Sequence, residues 1–213
     1  MLNRRVLGFS LIAMSPLPFA WYRAASAQTE TSPNNDAVRR NRRMTASRVF
    51  GGGPVPIPVA PEFGGLLTRF EQPSVFFLLK SGLAGIIRFT LQREGEDRPV
   101  CNASLGIAWS AGLHQVRFAD LDAHLAPATR FDWTLDLHRV GHDPVTTGAT
   151  IIYRRASVSL AARLAALPAP AAVDLLQQGG YWYDAFLCAM QAPAGERDTL
   201  THDLLAHIDI DPS

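Results

Sequence analysis

The stretch Arg130-Phe131-Asp132-Trp133-Thr134-Leu135-Asp136-Leu137-His138 decides the fold. Phe131, Trp133, Leu135 and Leu137 take every second position, and Asp132, Thr134, Asp136 and His138 fill the gaps. Successive side chains of a strand point to opposite faces, so the pattern makes one large apolar face and one polar face. A helix would scatter the four apolar groups around its axis. The spacing predicts the central strand of a half-buried antiparallel sheet.

Shorter runs flank it on both sides. Leu66 to Phe70, Ser74 to Leu79, Ile86 to Gln92, Leu113 to Phe118 and Thr147 to Tyr153 read as strands, and Val100 to Ser104 as a short edge strand. Lys80-Ser81-Gly82, Glu94-Gly95-Glu96-Asp97 and Gly141-His142-Asp143-Pro144 are turns by composition. Seven short strands with turn signals between them predict an immunoglobulin-like antiparallel β-sandwich over residues 65–155, with a small barrel as the alternative. The Cys…Trp…Cys spacing of antibody domains is absent.

Past Arg155 the apolar period changes from two to about 3.6. Ser157 or Ser159 is placed to cap a helix from Leu160 to Leu167. Pro168 and Pro170 break it and start a second, Ala171 to Gln178, stopped by Gly179-Gly180. Trp182, Tyr183, Phe186, Leu187 and Met190 share a face of a third helix, ended by Pro193. Leu200, Leu204, Leu205 and Ile208 share a face of a fourth. Helices this short are marginal alone, so they are expected to pack in antiparallel pairs against one another or against an open sheet face. The fold class is therefore α+β, with a helical subdomain over residues 156–213.

The first 27 residues read as a secretory signal peptide. Arg4-Arg5 forms a positive start, Val6 to Ala20 is mostly apolar, and Ala25-Ser26-Ala27 is a small-residue cleavage site before Gln28. The apolar run is shorter than the roughly 20 residues a membrane span needs, and Pro16 and Pro18 interrupt it. Cleavage removes Arg4, Arg5 and Arg23 and no acid, so the 20 basic residues fall by three to 17 against 19 acids, and 213 residues fall by 27 to 186. That length builds a core without staples. So small a net charge offers no field for nucleic acid. A periplasmic or secreted location is expected, with no membrane span after cleavage.

Residues 28–64 read as a disordered linker. Arg39, Arg40, Arg42, Arg43 and Arg48 form a basic cluster, followed by Gly51-Gly52-Gly53 and Pro54, Pro56, Pro58 and Pro61. Too little apolar surface is present to offset the entropy of ordering. The arginines read either as a contact with anionic envelope components or as a solvated tether. Cys101 and Cys188 read either as a disulfide joining strand to helix, which an oxidising compartment permits, or as two buried thiols.

Several stretches resemble one exported bacterial family, domain of unknown function 928 (DUF928). Gly180-Tyr181-Trp182-Tyr183-Asp184-Ala185 is the most specific piece. Pro73-Ser74-Val75-Phe76-Phe77 resembles the family's Pro-x-aromatic strand. Phe131-Asp132-Trp133-Thr134-Leu135 resembles its aromatic-x-Trp strand. Gly148 to Arg154 resembles its Gly-x-hydrophobic-x-Arg strand before the helices. Two departures are Phe76 in the place of a Trp, and Leu78-Leu79-Lys80 in the place of Tyr-x-Pro. The resemblance implies export and the two-part layout, and it transfers no catalytic residue.

Candidate chemistry is thin. Asp184 lies on an aromatic helix face, where it either anchors the helix through backbone or Arg hydrogen bonds or orients groups in a cleft. Tyr181, Trp182 and Tyr183 are either core or an aromatic platform for a glycan or peptide. Consecutive aromatics fan out around a helix, so at least one is expected to face away from a single packing partner. Asp120, Asp122 and His124 alternate, as do Asp132, Asp136 and His138, and together they offer oxygen ligands for a cation or simply a polar surface. His138 and His142, and His202 and His207, lack zinc spacing. No Gly-x-Ser-x-Gly elbow is present. These residues point to a non-catalytic module that contacts another exported or envelope protein, with no cofactor, metal or nucleic acid. A glycan- or metal-binding domain, or a hydrolase built from scattered Asp and His residues, is the alternative.

Overall fold

The structure, a computed structural model, describes residues 55–62 and 64–210. The expected signal peptide and most of the expected linker lie outside the described residues. The strands are β1 (Ile57–Pro58), β2 (Leu67–Thr68), β3 (Ser74–Leu79), β4 (Leu83–Arg93), β5 (Pro99–Trp109), β6 (Gly112–Arg117), β7 (Arg130–His138) and β8 (Val145–Tyr153). A 3₁₀ turn at Phe118–Leu121 follows β6. Four helices close the order: α1 (Val158–Ala165), α2 (Ala169–Gln178), α3 (Trp182–Gln191) and α4 (Ala194–His207). The chain is α+β.

The strands form a smaller sheet, β1-β3-β6, and a larger one, β2-β8-β7-β4-β5. All pairings are antiparallel except β2 with β8. β7 sits at the middle of the larger sheet, with Trp133 between Leu91 of β4 and Ala149 of β8. Phe131, Trp133, Leu135 and Leu137 are fully buried, while Asp132, Thr134 and Asp136 are half-buried and His138 is exposed. The two-residue rhythm thus does what a one-sided sheet requires. Gly148 lies opposite Thr134, where an added Cβ would collide with the Trp133 carbonyl. The close approach of β8 to β7 depends on that missing side chain.

β3 is buried on both faces, which is why its run is apolar without alternation. Val75 and Phe77 pair with Val116 and His114. Phe77 stacks on His114 at 5.1 Å and meets Trp109 edge-on at 5.6 Å. The opposite face carries Phe76, whose ring lies 4.9 Å from Phe186 of α3.

Three expectations change. The first expected strand, Leu66 to Phe70, shrinks to Leu67–Thr68, because its neighbours are used to grip α3 instead. The short edge strand Val100 to Ser104 extends to an eleven-residue β5. Its Ala, Ser, Asn and Gly residues have weak strand preference, and pairing with β4 is what holds them extended. The end of the expected linker enters the smaller sheet: Ile57 and Pro58 pair with Leu78 and Phe77, and the Val59 amide donates to the Phe76 carbonyl at 2.9 Å.

The expected caps are present, while the first two helices begin two residues earlier than expected, at Val158 and Ala169. The Ser157 hydroxyl accepts from the Leu160 amide at 3.1 Å, and Gly180 takes a left-handed φ of 76° to end α2. The helices build no core of their own. Val173, Leu176, Trp182, Tyr183, Phe186, Leu204 and Leu205 belong to the same apolar cluster as the strands. Cys101 and Cys188 are both free and half-buried, so the two-thiol reading holds in this structure, and burial pushes both thiols above their ordinary range.

Trp133 is the largest fully buried side chain. Truncating it to Ala is expected to cost about 3–5 kcal/mol, the range for buried aromatics. Urea denaturation followed by far-UV circular dichroism measures this. A cost under about 1 kcal/mol would mean the strand does not carry the core.

Candidate functional site

The motif Tyr181 to Asp184 opens α3, and all four side chains are buried. No single partner covers them. Tyr181 bridges to Leu66, and the Leu67 amide donates to the Gly180 carbonyl at 3.0 Å. The Trp182 Nε1–H donates to the Val59 carbonyl at 3.2 Å, beside β1. Tyr183 points at the larger sheet. The expectation that one aromatic faces outward fails because β1, β2 and the larger sheet surround this end of the helix. A helix apolar all round is a buried helix. No aromatic platform is offered to a glycan here.

Tyr183 solves an edge problem. Its hydroxyl donates to the Thr150 carbonyl of β8 at 2.6 Å and accepts from Trp133 Nε1 at 3.1 Å. Ile152 and Arg154 turn their amides toward Leu66 and Thr68 of the β2 segment, so the β8 edge is paired there. Burial pushes the Tyr183 phenol far above its ordinary range, which keeps it a neutral donor.

Asp184 is 2% exposed and is the one buried charged residue among those described. Its Oδ1 accepts from the Thr68 hydroxyl at 2.7 Å, and its Oδ2 accepts from the Arg69 amide at 2.8 Å. Thr68 Oγ1 in turn accepts from the Phe70 amide at 3.2 Å. The Arg69 Nε stands 3.5 Å from Oδ2, and the guanidinium lies 4.6 Å over the Phe70 ring. Asp184 also occupies the first turn of α3, where a negative charge meets the helix dipole favourably. Burial nevertheless pushes its carboxyl up to about 6, against the pull of Thr68 and Arg69. These contacts tie the start of α3 to the β2 segment.

The other candidates stay apart. Asp120 lies in the 3₁₀ turn, not in a strand, and pairs with Arg117 at 2.8 Å. His124 is held between Glu71, at 3.0 Å from Nδ1, and Asp122, at 3.4 Å from Nε2. The Glu71 carboxylate holds His124 above the ordinary histidine range. Asp132 and Asp136 accept from the Thr150 and Thr146 hydroxyls on the outer face of the larger sheet. His202 lies 3.9 Å from Asp203, and His207 stacks on Trp182 at 6.1 Å. Among the described residues, no three His, Cys, Asp or Glu side chains converge to hold a metal.

One surface feature escaped the pattern. At one end of the larger sheet's outer face, a cleft of about 580 Å³ is lined by Ala84, Gly85, Ile86, Ile107, His138, Arg139, Val140 and His142. Ile86 is 42% exposed, Ile107 69% and Val140 102%. Ile86 shares the outward parity of Ala84 and Arg88 on β4, and Gly85 and Ile86 fall in a register shift of the β4–β5 pairing. The signal present in the sequence was Val140, an apolar residue in the turn before Gly141.

The family model of the Domain of Unknown Function DUF928 matches residues 37–208. No curated protein matches. Among solved structures, the fn3 domain of the human collagen alpha-1(XX) chain matches with a TM-score of 0.30 and 10% identity. That match covers 52% of this chain and 90% of the collagen domain.

Two outcomes are expected at Asp184. The folded protein holds this proton more tightly than the unfolded chain, whose carboxyl titrates near 3.8. The stability it contributes is therefore complete below about pH 4 and falls by about 3 kcal/mol as pH rises through 6. Asp184→Asn flattens that part of the profile in urea titrations between pH 3.5 and 7.5. Separately, Thr68→Val removes one donor to a buried carboxylate and is expected to cost about 1.5–3 kcal/mol at pH 7.

Proposed function

This chain belongs to the DUF928 family, and on that footing we propose that it is a non-catalytic module of the cell envelope that docks on another exported protein. The observation that carries the proposal is the exposed apolar end formed by Ile86, Ile107 and Val140. Surface apolar residues scattered singly need no explanation, whereas three around one cleft favour a contact site over chance exposure. Ile86 is paired with His138 of β7 and Ile107 lies in β5, so strands rather than a free loop present two of the three residues. His138, Arg139 and His142 supply the polar rim that protein interfaces use around an apolar centre.

Two readings of the sequence support the same role. The start of the chain reads as a signal peptide, and the basic and proline-rich segment reads as a tether. We also read the strand order as that of an immunoglobulin-like sandwich of the fibronectin type III kind. β1, β3 and β6 stand for its three-stranded sheet and β5, β4, β7 and β8 for its four-stranded one, with β2 added outside β8. Modules of this architecture are common on cell surfaces.

The test is site-specific photo-cross-linking from position 140 in intact cells, compared with position 102 on the same sheet. A discrete cross-linked protein at 140, lost when Ile107→Asp is added, is the expected result. An abundant, folded protein that cross-links to nothing from 140 would overturn the reading.

A further inference from the structure

Of the eight residues lining the cleft, His138, Arg139 and His142 carry nitrogen donors and none carries a carboxylate. The nearest acids along the chain are Asp136 and Asp143. Asp136 accepts from the Thr146 hydroxyl, and neither acid lines the cleft. Gly85 of β4 leaves room for the Arg139 stem: a Cβ there would lie 3.0 Å from the Arg139 Cγ and 2.9 Å from the His138 carbonyl. The Arg139 Nε is shut off from water and has no hydrogen-bond partner among the described residues. Arg69, Arg93 and Arg130 share that condition at Nε, but each has a carboxylate within 3.7 Å of its guanidinium. Arg139 has no such ion pair among the described residues. A guanidinium that has lost water at one nitrogen and gained no anion in return profits more from an arriving carboxylate than a fully hydrated one does.

Resting on the docking reading above, we propose that the cleft takes an acidic, apolar segment of a partner protein. The carboxylate of an Asp or Glu side chain of that segment meets Arg139, and a neighbouring apolar side chain sits among Ile86, Ile107 and Val140. Arginine grips a carboxylate through two parallel N–H donors, which fixes orientation as well as charge. The imidazoles of His138 and His142 supply further N–H donors at the rim. The charge of the lining residues is of one sign, so it selects against basic segments as well as for acidic ones. A concave cleft receives a side chain, whereas a flat lipid surface touches only its rim.

Selection of a random-heptapeptide display library on the purified, immobilised full chain tests it. The enriched peptides are expected to carry Asp or Glu next to Leu, Ile, Val or Phe, and to bind Arg139→Gln at least about tenfold more weakly. If that variant fails to fold by circular dichroism, Arg139→Lys keeps the stem and the charge but loses the two-donor grip, and is expected to weaken binding at least about threefold. Enrichment without acidic residues overturns the proposal. So do acidic peptides that the variant holds as tightly, since they are bound elsewhere on the chain. Phosphatidylglycerol vesicles are the control probe, and binding to them that Arg139→Gln abolishes, with no peptide enriched, assigns the cleft to a lipid surface and overturns it too. In intact cells, the cross-link from position 140 is expected to weaken in Arg139→Gln. A cross-link to the same protein that persists unchanged overturns this inference and leaves the docking reading standing, whereas no cross-link at all overturns the docking reading itself.

Discussion

A carboxylate taken out of water must find donors or forfeit its charge, and Asp184 finds them 116 and 115 residues away, at Thr68 and Arg69. That requirement fixes where α3 begins relative to β2. β2 is only two residues long, and its parallel pairing with β8 would be a feeble element by itself. Clamped by Asp184 on one side and by the Ile152 and Arg154 amides on the other, it becomes the joint between the sheet and the helices. The clamp works under tension. Burial favours the neutral acid, the donors and the helix dipole favour the anion, and the carboxyl settles near 6.

The aromatic residues before Asp184 serve the same joint by other means. Two of the three bring a polar tip to a backbone carbonyl or indole that would otherwise lose its partner on burial, while Tyr181 bridges to Leu66 through the backbone. Trp182 serves Val59 and Tyr183 serves Thr150 and Trp133. The motif is thus a set of hydrogen-bonded plugs around the start of one helix. It closes the sandwich where β1 and β8 approach. Among the described residues the opposite edge, at β5, has no such plug, and the exposed apolar end lies near it.

Much of the fold was legible. The rhythm of Phe131 to Leu137, the unbroken apolar run Ser74 to Leu79 and the glycine stop at Gly180 each act through local geometry, so the residues announce them. β5 was legible only in part because its outer half is held by hydrogen bonds to β4 rather than by its own preferences. The strand at Ile57–Pro58 was hidden in a proline tract for the same reason. The Tyr181–Asp184 motif stood out in the sequence, but its partners did not. Thr68, Arg69, Val59 and Thr150 are ordinary residues that matter only through where the chain brings them.

The sequence by itself determined the two faces of β7, the change of period near Arg155 and the capping of the helices, because these depend on neighbours within one or two turns of chain. Only the tertiary structure decided that the helices share the sheet's core, that all three aromatics of the motif are enclosed, and that β2 and Tyr183 cover the β8 edge of the larger sheet. Those outcomes depend on contacts between segments as much as 123 residues apart. No periodicity carries information across that distance, since the hydrogen bonds and packing that select one arrangement exist only once the chain has closed on itself.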